Sequence, residues 1–328
     1  MKKFYLCLIS LLILAVSCTS LYACGKPSEP TTLKMVVPTG APALAVADLF
    51  GSNPIESLGY KLEIEVVSAD AIVAKVTSGE ADMAIMPTNT AAVAYSKGTD
   101  IKLVSSNVFG LLYMVGKQQF TELSELKGKV VYNIGQGKTS DALFQYILDS
   151  HDIDYEAGDT ALSDDKVYLA YVSDGSELPP MLKQGKAEYA ILGEPAATKA
   201  REVSGCVQVM DIQAEWESIT GQNSYPQASF VMKSSLTENT GLVSAILGAM
   251  EANVESITEN PAAAGEALAG AGVTLPVTLT EEIVNRCNIR LVKAADAKAS
   301  ITSYLTVLYN FDPKFVGGSM PDDDFYLV

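Results

Sequence analysis

Residues 76–92 read VTSGEADMAIMPTNTAA and residues 182–198 read LKQGKAEYAILGEPAAT, two stretches of equal length that share one pattern. Glycine, alanine and isoleucine recur at matching places, namely Gly79/Gly185, Ala81/Ala187, Ala84/Ala190, Ile85/Ile191 and Ala91/Ala197. Each copy is typical of a helix end with a glycine stop, a short buried strand, and a polar turn that opens the next helix. The duplication predicts two α/β units built on the same plan.

A second pair of segments supports this duplication. The apolar strand predicted at 33–37 leads through the turn PTGAP into a helix near Ala43, and the strand predicted at 129–134 leads through GQGKTS into a helix over 141–149. Strands that alternate with helices at this spacing indicate mainly parallel sheets flanked by helices on both faces. The pattern therefore predicts an α/β fold with two lobes.

The remaining elements set the limits of the two lobes. Further strands are predicted at 61–67, 101–107, 111–115, 167–172, 206–210 and 228–232. From Leu236 onward only helices are predicted, at 241–259, 261–269, 280–287 and 296–309. No long linker separates the lobes, which favours a discontinuous arrangement. Lobe 1 is predicted to take 33–112 and 226–328, and lobe 2 to take 113–225, with crossing segments near 112–116 and 225–230 as the hinge.

The N-terminal segment is typical of an exported protein. Lys2 and Lys3 precede an apolar run over 4–16, and small residues follow it. This order predicts a signal peptide at 1–23. The alternative is an uncleaved membrane anchor, but the apolar run falls short of the ~20 residues that a bilayer core needs.

The end of the predicted signal peptide resembles the lipobox of bacterial lipoproteins, in which a cysteine is acylated. The resemblance lies in LYAC at 21–24 and predicts Cys24 as the lipidated residue. Residues 24–32 then form a polar tether with two prolines and no apolar residue to bury. Cys18, at the end of AVSC, is the alternative acylation site, and only Cys24 is followed at once by the tether.

Composition excludes several classes of function. The chain has 23 Lys+Arg and 39 Asp+Glu, a net charge of −16, which would repel a nucleic-acid backbone. Its single histidine, His151, argues against histidine triads and zinc sites, so neither a metal nor a cofactor is predicted. Cys206 and Cys287 fall in different lobes and are predicted to be separate buried thiols, with a disulfide between them left open.

Several motifs, taken in their order, resemble one family of proteins. They are Ala69-Asp70 at a helix start, GEADMAI at 79–85, LSELKGKVV at 123–131, Glu194-Pro195 after a strand, and the tail from Asp312-Pro313 to Tyr326. Together they resemble the substrate-binding lipoproteins of ABC importers, in the group that handles nitrate, sulfonates, taurine and thiamine pyrimidine precursors. The resemblance covers essentially the whole mature chain and implies a type II periplasmic-binding-protein fold, with ligand held between the lobes.

The same resemblance implies a binding protein rather than an enzyme. Such a monomer, anchored by lipid on the outer face of the bacterial cytoplasmic membrane, captures a small organic solute and delivers it to a permease with its ATPase. Closure of the lobes on the solute is the expected signal. The alternative is an enzyme on the same two-lobed scaffold, against which the export signal and the position of His151 outside every cleft turn both argue.

Four turns are predicted to face the cleft, because ligands of open α/β sheets lie beyond the carboxyl ends of strands, against helix starts. The candidate ligand-binding residues are Thr39, Gly40, Pro42, Thr88, Asn89, Thr90, Lys138, Thr139, Ser140, Glu194 and Tyr225. Backbone N–H groups at a helix start, aided by hydroxyls, suit an anionic or polar ligand group. The alternative for each hydroxyl is helix capping.

The charged candidates indicate opposite ligand polarities. Lys138 is placed to meet an anion, whereas a cleft carboxylate at Glu194 would accept from a ligand N–H group or pair with Lys199. None of the three arginines falls in a cleft turn, which disfavours a ligand that needs a guanidinium fork. These side chains favour a compact neutral or zwitterionic nitrogen-containing solute, pyrimidine-like, with a sulfonate-like solute as the second candidate.

Overall fold

The computed structural model describes residues 29–328. The predicted signal peptide at 1–23, the two cysteines Cys18 and Cys24, and most of the predicted tether lie outside the described residues and stay predictions. Residues Thr32–Val328 form one compact unit. No helix within 29–328 is long and apolar enough to cross a membrane.

Two six-stranded sheets form the frame of the described chain. The first, in the spatial order β12-β4-β11-β3-β1-β2, contains β1 (Thr31–Pro38), β2 (Tyr60–Val67), β3 (Met83–Pro87), β4 (Ile101–Phe109), β11 (Pro226–Lys233) and β12 (Ile289–Lys293). The second, in the order β10-β5-β9-β6-β8-β7, contains β5 (Leu112–Gly116), β6 (Val130–Ile134), β7 (Tyr155–Ala157), β8 (Val167–Val172), β9 (Tyr189–Gly193) and β10 (Val207–Asp211).

The duplicated sequence pattern occupies corresponding places in the two sheets. The matching strands β3 and β9 each lie beside a parallel neighbour, β1 and β6 respectively. The register pairs Met35 with Met83 in the first sheet and Tyr132 with Ala190 in the second. The two-sheet α/β fold class is thereby confirmed.

Both sheets contain antiparallel as well as parallel pairs, whereas the sequence predicts mainly parallel sheets. The pairs β1–β3, β6–β8, β6–β9 and β7–β8 are parallel. In contrast, β11 runs antiparallel to β3 and β4, β12 to β4, and β5 to β9 and β10. The antiparallel strands include β4, β5 and β11, the strands at which the chain passes between the sheets.

Helices flank both sheets. They are α1 (Ala41–Leu44), α2 (Ala69–Thr77), α3 (Thr88–Ser96), α4 (Thr139–Ser150), α5 (Leu178–Gln184), α6 (Ala196–Ser204), α7 (Ile212–Thr220), α8 (Ser234–Thr237), α9 (Thr240–Glu259), α10 (Pro261–Gly270), α11 (Glu281–Arg286) and α12 (Ala294–Phe311). Asn260 separates α9 from α10, since its side chain accepts from the Ala263 N–H at 3.2 Å while Pro261 begins the next helix.

The prediction of helices alone beyond Leu236 is wrong, because β12 is a strand. It follows Asn288, whose φ of 48° turns the chain sharply after α11. Its residues pair with β4 at the edge of the first sheet, and none of them is fully buried. A short edge strand whose apolar residues are only partly buried carries little periodic signal.

An aromatic cluster packs where α4, α7 and α12 meet the start of β11. Trp216 lies 5.6 Å from Tyr225, 5.7 Å from Tyr304 and 5.7 Å from Tyr146, measured between ring centroids. Trp216, Tyr225 and Tyr304 are completely buried. The cluster therefore ties helices beside the second sheet to the C-terminal helix.

Candidate functional site

A cavity of about 860 Å³ lies among turns contributed by both sheets. Its walls are the turn after β1 (Pro38 to Pro42), the start of α4 (Lys138 to Ser140), the segment after β8 (Ser173 to Pro180), the turn after β9 (Gly193 to Ala196), and Thr274 to Pro276. Most of these segments follow the carboxyl ends of strands. The cavity thus lies where open α/β sheets bind ligands.

Seven of the predicted ligand-binding residues line this cavity. They are Thr39, Gly40, Pro42, Lys138, Thr139, Ser140 and Glu194. Their contact with a ligand stays a prediction.

The other four candidates are not among the residues that line the cavity, and the side chains of three of them, Thr88, Asn89 and Tyr225, have hydrogen-bond partners within the protein. Thr88 Oγ1 lies 2.8 Å from Ser229 Oγ, and Asn89 Nδ2 donates to the Phe315 carbonyl at 3.2 Å. Thr90 is half-buried on the same helix, one residue further on. Contact of Thr88, Asn89, Thr90 and Tyr225 with a ligand stays a prediction without support from this cavity.

Tyr225 lies in a predicted crossing segment, where an aromatic ring can either stack on a flat ligand or pack on the hinge. Its ring instead lies in the aromatic cluster, and its hydroxyl donates to Gln213 Oε1 at 2.8 Å. Burial raises its pKa well above the ordinary tyrosine value. The residue packs within the aromatic cluster and is not among the residues that line the cavity.

The start of α4 presents backbone groups to the cavity more than it presents hydroxyls. Ser140 Oγ donates to the Ile134 carbonyl at 3.1 Å, and Thr139 Oγ1 donates to Asn89 Oδ1 at 2.9 Å. No side chain caps this helix at Lys138. The first-turn N–H groups are therefore suited to a polar or anionic group in the cavity.

Asp141 fixes the loop that precedes α4. Its Oδ2 accepts from the Gly137 N–H at 2.7 Å, and its Oδ1 accepts from Gln145 Nε2 at 2.8 Å and from Tyr171 Oη at 2.9 Å. The side chain is almost completely buried, and this burial raises its pKa, while the three hydrogen bonds lower it in part. The glycine at 137, with φ of 75°, permits the turn that brings its N–H to the carboxylate.

Glu194 does not offer a free carboxylate to the cavity. Its Oε1 pairs with the Arg286 guanidinium at 2.7 Å, and its Oε2 accepts from the Thr198 N–H at 3.1 Å. The absence of arginine from the cleft turns therefore does not keep arginine away from Glu194, and the partner of Glu194 is Arg286 rather than Lys199. Arg286 comes from α11, far along the chain, and nothing in the local sequence indicates the contact.

The charged side chains on the cavity wall are predominantly basic. Lys138, Lys183 and Lys199 line the cavity, against the acids Asp174 and Glu194. Arg286 already neutralises Glu194, and Asp174 accepts from the Ser176 N–H at 2.8 Å. A chain with a net charge of −16 thus presents lysines to its cavity. This arrangement suits an anionic solute.

Sequence reasoning missed part of the cavity wall. Asp174 lies just beyond the end of β8, a predicted strand, so the rule that selects strand ends would have found it, whereas Lys183 lies in the last turn of α5. Gln227, in β11, also lines the cavity and its Oε1 is buried without a hydrogen-bond partner. Across 29–328 no group of His, Cys, Asp and Glu is arranged to hold a metal ion. Cys206 and Cys287 are both free and buried.

Comparison with known proteins identifies relatives of this architecture. The family model described as NMT1/THI5 like matches residues 59–264, well over half of the chain. The search of curated proteins found no match to this chain. An ABC transporter structure from Parabacteroides distasonis is 26% identical, with a TM-score of 0.74, over 91% of this chain and 99% of that chain.

Two more distant structures share the fold. The periplasmic aliphatic sulphonate binding protein SsuA from Escherichia coli is 12% identical, with a TM-score of 0.63, over 90% of this chain and 96% of that chain. The alkanesulfonate-binding protein SsuA from Xanthomonas axonopodis pv. citri, bound to MOPS, is 12% identical, with a TM-score of 0.61 and the same coverage. Of these three structures, the first is an ABC transporter and the other two are sulfonate-binding proteins.

Proposed function

This chain belongs to the NMT1/THI5-like family, and from that premise we propose that it is the solute-binding component of an ABC importer. The match of its fold to ABC-transporter binding proteins supports this function. The cavity between turns of two sheets is the corresponding place for a solute. The alternative of an enzyme on the same scaffold has no support from these relatives.

The proposed solute is a small organic anion, sulfonate-like, with an apolar part. The observation that carries this proposal is the set of three cavity lysines, together with a Glu194 carboxylate that is already paired with Arg286. Leu111, Pro179 and Leu275 add apolar wall, and 860 Å³ exceeds what a bare inorganic anion fills. A pyrimidine-like solute loses its main support, since that expectation depended on an unpaired Glu194.

Titration calorimetry with a panel of solutes tests the solute class. We expect pentanesulfonate and naphthalenesulfonate to bind, and an aminopyrimidine, an alkylamine and nitrate to bind weakly or not at all. Tight binding of the aminopyrimidine without binding of either sulfonate would contradict the proposal.

A matched pair of lysine variants tests the polarity of the cavity. Lys199 lines the cavity, and Lys97 is an exposed lysine elsewhere on the surface. We expect Lys199→Met to weaken sulfonate binding about tenfold, because it removes a charge beside the anion, and Lys97→Met to leave affinity unchanged. Equal affinities of the two variants would show that Lys199 does not meet the anion.

We propose that the protein works outside the cytoplasm, held at the membrane by a lipid on Cys24, and delivers its solute to a permease as a monomer. The family relationship supports a location outside the cytoplasm, and the LYAC motif supports a lipid anchor on Cys24. Cys24→Ala should release the protein from the membrane fraction or leave the precursor uncleaved. If only Cys18→Ala releases the protein, Cys18 and not Cys24 is the acylated residue.

The proposed lobes are 33–112 with 226–328, and 113–225. The strand membership of the two sheets supports this division, since the second sheet draws only on residues within 112–211. The chain would then cross at the junction of β4 with β5 and at the start of β11. Closure about these crossings is the proposed response to solute.

A further inference from the structure

Arg286 connects two parts of the molecule that lie far apart in the chain. It ends α11, and the strand that follows pairs with β4 of the first sheet. Its guanidinium contacts residues of the second sheet and of the turn after it. Arg286 Nη2 donates to Gln208 Oε1 at 2.9 Å, and its Cζ lies 4.0 Å from the centre of the Tyr113 ring.

The strongest of these contacts is the ion pair with Glu194. Arg286 Nε donates to Glu194 Oε1 at 2.7 Å, and the Glu194 side chain has no exposed surface. The other carboxylate oxygen accepts from the first turn of α6, through the Thr198 N–H. Both oxygens are therefore satisfied within the protein, and removal of Arg286 would leave a buried carboxylate without a counter-charge.

Glu194 also stands where two cavity walls meet. Gly40, in the turn after β1, has a φ of 89°, and a Cβ placed there would lie 3.9 Å from both the Glu194 carbonyl oxygen and Pro195 Cδ. The first-sheet turn thus packs against the turn after β9 at the cavity edge. Arg286 is not among the residues that line the cavity, so it holds this junction from outside.

We propose that Arg286 is a positioning residue, which retains the solute through its ion pair with Glu194 and does not touch the solute itself. The inference rests on the proposed solute-binding function. The ion pair joins the end of α11, just before β12 of the first sheet, to the turn after β9 of the second sheet. It therefore raises the population of the arrangement in which these two parts meet, and apparent affinity rises with that population. The pair acts in this way with or without solute present.

The test compares Arg286→Met and Arg286→Lys with Arg290→Met as the control. Arg290 is a second arginine of the same segment, whose guanidinium lies 3.9 Å from the Phe109 ring centre. Dissociation of naphthalenesulfonate is measured by stopped-flow displacement with excess pentanesulfonate. Small-angle scattering of each variant without solute measures the radius of gyration.

For Arg286→Met we expect dissociation about tenfold faster, an association rate changed less than dissociation, and a larger radius of gyration. Arg286→Lys should lie between this variant and the wild type, because lysine keeps the charge but cannot reach Glu194 and Gln208 with a planar fork. Arg290→Met should match the wild type. A merely structural role would lower thermal stability without changing the dissociation rate.

Equal dissociation rates and radii for Arg286→Met and Arg290→Met would overturn the proposal. If Arg286→Met does not fold, Arg286→Lys decides, and a wild-type dissociation rate in that variant overturns it. If the wild type binds neither sulfonate, the proposed solute class fails, and the scattering comparison alone then decides the role of Arg286.

Discussion

Two buried tyrosines of the aromatic cluster stack on each other but differ in what their hydroxyl groups meet. Their ring centroids lie 5.8 Å apart. Tyr225 Oη donates to Gln213 Oε1, whereas Tyr304 Oη is buried without a hydrogen-bond partner. Burial raises the pKa of Tyr304, and the nearby Thr139 hydroxyl lowers it only in part. The Tyr304 hydroxyl therefore contributes little to stability.

We expect Tyr304→Phe to leave the free energy of unfolding unchanged or to raise it, since the change removes an unpaired buried hydroxyl. Tyr225→Phe should lower it by about 1 kcal/mol, the usual net value of a hydrogen bond. Urea denaturation of the two variants measures the difference. Equal losses in both would mean that the Tyr304 hydroxyl bonds to Thr139.

Asp141 is a buried acid whose titration affects stability. Because burial raises its pKa in the folded state, the folded protein binds this proton more tightly than the unfolded chain does. Its contribution is thus most favourable below the ordinary aspartate pKa and becomes less favourable as pH rises through the raised folded pKa. Asp141→Asn cannot ionise, so it lacks this dependence.

We therefore expect the stability of the wild type relative to Asp141→Asn to fall as pH rises from about 4 upward. Urea denaturation at a series of pH values measures this relative stability. A relative stability that rises with pH would mean that the hydrogen bonds from Gly137, Gln145 and Tyr171 outweigh burial.

Single residues show where sequence reasoning about the site works and where it fails. Thr39, Lys138 and Ser140 follow strands that apolar runs predict, so the strand-end rule places them correctly on the cavity wall. Thr88 follows a predicted strand too, but its hydroxyl meets Ser229 of β11. The Glu194–Arg286 pair joins residues 92 positions apart, a contact that depends on tertiary packing.

At the scale of elements, the C-terminal tail docks on the first sheet as an added edge. Tyr326 forms a bridge with Leu103 of β4, and the Leu327 N–H donates to the Leu103 carbonyl at 2.9 Å. Phe325 is fully buried, with its ring 5.0 Å from that of Tyr95 in α3. The tail therefore links α3 to β4.

We expect Phe325→Ala to lower the free energy of unfolding by about 3–5 kcal/mol, since it removes a buried aromatic ring. Val328→Ala, at a position 74% exposed in the same tail, should change it by less than about 0.5 kcal/mol. Thermal or urea unfolding of the two variants measures the contrast. A small loss for Phe325→Ala would mean that the tail is not part of the cooperative unit.

The sequence predicts best those strands and helices whose apolar residues are buried in a regular pattern. The strands β3 and β9 are almost entirely buried and short, and their duplicated sequence predicts both. By contrast, β7 has only three residues, none of them buried, and β12 is an exposed edge. The direction of a strand relative to its neighbours also cannot be predicted from local sequence. The antiparallel pairing of β11, for example, depends on where the chain returns to the first sheet.

At the scale of the whole molecule, the two sheets are connected in two different ways, through the aromatic cluster and around the cavity. On one side the aromatic cluster joins helices of the second sheet to α12 through buried rings. The cavity, in contrast, separates turns contributed by the two sheets. Buried rings favour a permanent contact, whereas polar turns around a cavity allow opening. From this contrast we expect a hinge near the cluster and an opening at the cavity.

This asymmetry predicts closure about the cluster when a solute binds. Saturating pentanesulfonate should reduce the radius of gyration in small-angle scattering by on the order of 1 Å, since the turns on both sides of the cavity approach the bound anion. Emission from Trp216, the single tryptophan, should change little, because its ring keeps its neighbours at the hinge. The solute should also raise the melting temperature, since it binds only the folded protein. A raised melting temperature with an unchanged radius of gyration would contradict closure and indicate a cavity that admits solute without lobe movement.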